Sequence, residues 1–238
     1  MHENLSDPGR IQKKAALFAG RASFCEENTH VSLSAAEVHE LKKAPAVEGV
    51  VPSLLERWSS RSFTDRAVSD AVLGRIFEAT RWSASAYNEQ PWRFIVAHKG
   101  SQSFAQIAES LLGFNQQWAA TAPVLILGLA QTEFTHNGKP NSYAMYDLGA
   151  AVTQLTVQAA AEGLTTHQMA GFDPDKARTL LGIPAEYQVG IAVALGYQGE
   201  PGVLADERLL SLETSPRQRK PLSELIFSAW GTPAKLGQ

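Results

Sequence analysis

The stretch YDLGAAVTQLTVQAAAEGL, residues 146–164, is apolar almost all the way round a helix. A helix on a protein surface keeps a polar face, and one without such a face has to be covered on most sides. The chain must therefore place material around this helix. Two further stretches supply it. APVLILGLAQ (122–131) and YQVGIAVALGY (187–197) are continuous apolar runs rather than alternating ones. Such runs suit central strands of a sheet covered on both faces. WRFIVAH (92–98) and the short TTHQMAG (165–171) add two more strands.

Amphipathic segments stand between the strands. SDAVLGRIFEATRWSA (69–84) carries Val72, Leu73, Ile76, Phe77 and Thr80 on one face, with Ser69 and Asp70 as caps. SQSFAQIAESLLGFNQQWA (101–119) reads as one or two helices broken near Gly113, and DPDKARTLLGI (173–183) has Asp173 as cap, Pro174 at its first position and Gly182 at its end. Too few strands stand close together for a doubly wound sheet. The expectation is an α+β fold: a three-layer α-β-α sandwich with a small mixed sheet flanked by helices. Residues 1–47 read as an N-terminal extension holding one helix, SAAEVHELKKA (34–44), and residues 48–238 as the main domain.

Composition excludes several functions. The net charge of −3 gives no general attraction to nucleic acid or anionic membrane. The single cysteine, Cys25, permits no internal disulfide and no thiolate metal cluster. No His-x-x-x-His pair occurs, and no metal site is expected. The N-terminus lacks an apolar signal core, and no apolar run is long enough to span a bilayer, so a cytoplasmic protein is expected.

Against that background, two basic clusters need a local explanation. RWSSRSF holds Arg57, Ser59 and Arg61, while PRQRK holds Arg217, Arg219 and Lys220. Forked guanidinium donors beside hydroxyls suit a phosphate, and a solvated surface would use the same residues. SASAYNEQPW (83–92) puts Asn88 and Gln90 at the mouth of a strand. Each amide offers a donor and an acceptor, for the edge of a planar ring or for the backbone of a turn. In QMAGFDP, Gly171 precedes a helix start, which lets backbone approach a flat ligand or simply turns a loop.

In order and spacing, RWSSRSF, SAYNEQPWRFIV, the central helix, AGFDPDKARTLLGIP, VALGY and PRQRK resemble the nitroreductase family over about residues 50–230. The resemblance implies an FMN-binding homodimer with the flavin at the subunit interface. It implies that Arg57, Trp58, Ser59 and Arg61, with Arg217 and Arg219, bind the phosphate and ribityl side. Arg61 would extend toward the pyrimidine edge, and Asn88 and Gln90 would bond the ring. Ala170 and Gly171 would lie beside the flavin N5, with the Gly171 N–H aimed at it. Many relatives have Glu where this chain has Ala170. The chemistry implied is flavin-borne, with no catalytic side chain. NADPH or NADH would deliver hydride, and nitroaromatics, quinones or activated alkenes would accept it in turn from the same pocket. Phe114 and Trp118 are candidates to line that pocket or to pack in the core. The alternatives are a specialised flavin relative (a dehydrogenase, dehalogenase or flavin-fragmenting enzyme) and a non-catalytic flavin carrier.

Overall fold

A computed structural model describes residues 32–236. Cys25, His30 and most of the expected N-terminal extension lie outside these residues. Helix α1 (Ala35–Lys42) starts at Ser34 with a reciprocal capping box to Glu37. After it come α2 (Pro52–Glu56), α3 (Asp70–Arg81), β1 (Trp92–His98), α4 (Gln102–Ser110), α5 (Asn115–Trp118) and β2 (Val124–Gln131). Next are α6 (Ala144–Ala161), β3 (Thr165–Met169), α7 (Pro174–Leu181), β4 (Tyr187–Gly196) and α8 (Glu207–Thr214). The chain closes on a small exposed hairpin, β5 (Phe227–Ala229) and β6 (Thr232–Pro233). The caps expected at Ser69 and Asp173 are made, and Gly182 ends α7 in the left-handed region.

The main sheet runs β1-β2-β4-β3. The α+β class and the layering are as expected from sequence. The strand directions differ from a mixed sheet, because all three described pairings are antiparallel. Side chains alternate across β2 into two cores. Leu125, Leu127 and Leu129 meet Phe104, Ile107, Trp118 and Ala177 from α4, α5 and α7. Val124, Ile126 and Ala130 meet Leu73, Ile76, Leu148, Val152 and Leu155 from α3 and α6. This double covering explains why β2 and β4 carry no polar alternation.

Helix α6 lies on the second face. It buries Ala144, Asp147, Leu148, Ala151, Val152, Leu155, Thr156 and Ala159. It is less enclosed than its composition demands, since Met145, Tyr146, Gly149, Thr153 and Gln154 remain exposed. Its Met145 and Leu148 side chains come close to the sheet at Gly190. A Cβ on Gly190 would stand 2.6 Å from Leu148 Cδ2 and 2.7 Å from Met145 Cε, and one on Gly128 would stand 2.8 Å from Ile191 Cγ2. Gly190→Ala should therefore push Leu148 off the sheet. We expect a loss of about 1–3 kcal/mol in denaturant unfolding; unchanged stability would show that α6 does not depend on this contact.

Candidate functional site

Residues 57–62 form no regular structure, yet Trp58, Ser60 and Ser62 are buried. Side chains from elsewhere hold this loop against the edge of β3. Thr165 Oγ1 donates to Trp58 O at 3.3 Å, and the Nδ1 of His167 lies 3.0 Å from Ser60 O, which makes Nδ1 the protonated nitrogen of a neutral ring. Arg217 donates to Arg57 O at 2.5 Å and to Leu55 O at 2.6 Å. From α8, the Glu213 carboxylate accepts from Ser60 Oγ at 2.6 Å, Ser62 Oγ at 2.8 Å and Arg61 N at 3.0 Å.

This arrangement gathers cations. Burial and then Arg219 hold the Arg57 guanidinium below its ordinary range. Burial, Arg57 and Arg219 do the same to Arg217. Arg61 is lowered by burial, with Glu213 opposing the shift. Among the described residues, none of Arg57, Arg217 and Arg219 forms an ion pair with a carboxylate. Mutual repulsion in a half-buried setting is relieved by a dianion, and a phosphate monoester supplies that charge with three acceptor oxygens. Two nitrogens of Arg217 hold the backbone of the loop, a role the sequence did not suggest.

The amide loop is built differently. Tyr87, Asn88 and Gln90 all have positive φ, at 53°, 56° and 50°. Left-handed backbone at three non-glycine residues costs on the order of 1 kcal/mol each. Tertiary contacts offset it. Ala86 N donates to Asp147 Oδ2 on α6, Gln90 N to Ser85 Oγ, and Thr135 N to Glu89 Oε1. The Tyr87 ring packs edge-on to Phe134. The two amides then divide the roles that the sequence left open. Gln90 Nε2 turns back to Asn88 O, serving the turn. The Asn88 side chain is exposed and, among the described residues, makes no hydrogen bond.

Beyond the end of β3, Ala170 and Gly171 are exposed. Gly171 O accepts from Leu112 N and Asn115 Nδ2, and a Cβ on Gly171 would come 2.7 Å from Asn115 Nδ2. Its N–H has no acceptor among the described residues. Phe114 is also exposed and stacks under Arg208, 4.4 Å from ring centre to guanidinium carbon. Trp118 is core, at 1 % exposure, packed against Phe63 and His167. It cannot line a pocket as the sequence reading allowed.

Two groups of the expected site residues thus stand at opposite ends of α6, while Ala170 and Gly171 lie apart from both clefts. Arg57 and Trp58 line a cleft of about 290 Å³ with Ala160, Gly163, Leu164 and Thr165. Ala84, Ser85 and Ala86 line another of about 280 Å³ with Tyr143, Tyr146 and Asp147. From Asp147 to Ala160 the helix rises about 20 Å. One chain therefore does not bring Asn88 to the arginine cluster. Glu213, His167, Asp147 and Lys42 escaped the sequence reading, since each is a lone polar residue without diagnostic spacing.

His167 gives this region a pH signature. Burial first, then Arg61, push its imidazole from 6.5 down to about 4, against a smaller upward pull from the Ser60 carbonyl. The folded state refuses a proton that the unfolded state accepts. Stability should therefore be full above pH 6.5 and fall as pH drops toward 4, by roughly 3 kcal/mol. Urea unfolding at pH 7 and pH 4 should show this slope reduced in His167→Gln; an identical slope in both proteins would refute the assignment.

Comparison with known proteins gives the same fold. The nitroreductase family model matches residues 54–197. A solved structure described as an oxidoreductase containing FMN superposes with a TM-score of 0.73 at 34% identity, covering 80% of this chain and 97% of that one. An uncharacterized 15.4 kDa protein of Mycolicibacterium smegmatis is 35% identical over 149 residues, 59% of this chain and 99% of its own. An NADH dehydrogenase of Thermus thermophilus is 29% identical over 204 residues, 73% of this chain and 92% of its own. With its sheet, its loops and more than half its length in register with that model, the chain belongs to the nitroreductase family.

Proposed function

We propose that this protein is an FMN-dependent oxidoreductase that draws hydride from NADH or NADPH and reduces nitroaromatics, quinones or activated alkenes. The observation that carries the reading is the crowding of Arg57, Arg217 and Arg219 without a carboxylate partner. That arrangement suits a phosphate monoester; the solved structure described as an oxidoreductase containing FMN supports a flavin, and the relative named NADH dehydrogenase supports a nicotinamide donor. The bound flavin would supply the hydride chemistry. Arg57 and Arg219 would hold the phosphate, with the Ser59 hydroxyl beside them. Arg61 would extend toward the pyrimidine edge and favour negative charge there. The Gly171 N–H, free of other acceptors, would face the reactive edge. Ala170 leaves that edge without a carboxylate, so protons for the acceptor would come from water or from the acceptor's surroundings. Among the described residues no His, Cys, Asp and Glu cluster could hold a metal, and no helix is long and apolar enough to cross a membrane.

The two-ended layout supports a homodimer. The exposed stripe Tyr146, Gly149, Thr153 on α6 is the natural face to cover, with Tyr146 77 % exposed. A twofold axis crossing the middle of two such helices sets them antiparallel. The Asn88 end of one copy then meets the Arg57 end of the other. Asn88 would read the ring of a flavin whose phosphate its partner holds.

Purified protein should show flavin absorption bands that bleach anaerobically with NADH or NADPH and return when a quinone is added. Arg57→Ala with Arg219→Ala should weaken FMN by about 10²–10⁴-fold, two charge-assisted contacts being lost. Bands that persist with both nucleotides would point to a carrier, and flavin affinity unchanged in the double variant would sink the phosphate assignment.

A further inference from the structure

The loop that presents Arg57 and Arg61 is shaped by two residues outside the matched span 54–197, namely Lys42 on α1 and Glu213 on α8. Glu213 is fully buried. A buried carboxylate costs several kcal/mol unless donors surround it. Here every hydrogen-bond donor comes from one stretch, the hydroxyls of Ser60 and Ser62 and the N–H groups of Arg61 and Ser62, and the Arg61 guanidinium forms an ion pair at 3.9 Å. The loop has no ladder or helix of its own to satisfy those donors. Its carbonyls go instead to Thr165, His167 and Arg217. Glu213 is thus the acceptor that turns the loop's hydroxyls and N–H groups inward, with the Arg61 guanidinium beside it.

Lys42 completes the pair. At 6 % exposure its amine donates to Leu212 O at 2.8 Å and lies 5.0 Å from the centre of the Trp58 ring. It stays in the field of Glu213, which favours its charge, while burial, Arg61 and Arg217 work against it and leave the amine at about 8. Leu33 and Val38 from the same N-terminal segment pack on Trp58. The segment before the family core therefore rests on the anion-binding loop from below.

We infer that Glu213, with Lys42 packed on the Trp58 ring, is a positioning residue that sets the 57–62 loop to receive a phosphate monoester, so that discrimination between FMN and riboflavin depends on α1 and α8. The inference rests on the FMN reading above, and it predicts an effect confined to the phosphate. Riboflavin shares the ring and the ribityl chain and lacks only that group.

The test uses full-length protein freed of flavin, titrated with FMN and with riboflavin by quenching of flavin fluorescence. Glu213→Gln keeps the shape and removes the charge, and Lys42→Met keeps the stem and removes the amine. Glu213→Gln should weaken FMN about tenfold or more while riboflavin affinity changes by less than about threefold. Lys42→Met should shift the FMN-to-riboflavin ratio in the same direction by a smaller factor, and it carries the test alone should Glu213→Gln fail to fold. Equal losses for both flavins would mean a general structural role and overturn the inference, as would an unchanged ratio in both variants. Wild-type protein that binds neither flavin would overturn the FMN reading itself, and this inference with it.

Discussion

Leu148 packed on Gly190 seats α6 against the sheet, and the placement of both clefts follows from it. A methyl group at Gly190 would collide with Leu148 and Met145, and one at Gly128 on the adjacent strand would collide with Ile191. Once seated, α6 fixes the distance between its ends. Its first turn anchors the amide loop, since Asp147 accepts the Ala86 N–H. Its last turn, with Gly163 following, borders the cleft that Arg57 lines. The separation of the two half-sites is therefore set by helix packing.

Each half-site meets a different physical demand. The arginine end concentrates like charge and needs a rigid, satisfied backbone beneath it. Glu213, Thr165, His167 and Arg217 provide that by taking up the loop's donors and carbonyls. The amide end stores backbone strain at Tyr87, Asn88 and Gln90 and offsets it through Asp147, Ser85 and Glu89. Strain of this kind presents one side chain, Asn88, in a fixed direction. Arg57 and Asn88 are conspicuous in the sequence, while Glu213, Thr165, His167 and Asp147, which hold their loops, are not.

That difference explains what could be read in advance. The apolar runs of β2 and β4, the Ser69 cap of α3 and the Asp173–Pro174 start of α7 are local signals, and the structure bears them out. The basic clusters and the Asn-x-Gln pair were visible because several functional side chains sit within a few residues of each other. Glu213 was not visible, because its four donors lie about 150 positions away and nothing in SLETSP sets it apart. The exposed stripe of α6 was misread as buried, since composition reports that a face must be covered and does not say by which chain. The antiparallel directions of the sheet were equally hidden, being settled by connections between strands and not by the strands themselves.

In the proposed dimer, one flavin site draws its phosphate cluster and its ring amide from different copies of the chain. Complementation between two defective variants tests this sharing. One protein carries Arg57→Ala with Arg219→Ala, the other carries Asn88→Ala, and each is assayed for retained flavin alone and after mixing through a reversible dissociation step. If the site is shared, mixed dimers contain one site with both groups intact, and flavin retention should rise to about a quarter of wild-type sites. A mixture that holds no more flavin than the average of its two parents would contradict the shared site and place the whole cofactor within one chain.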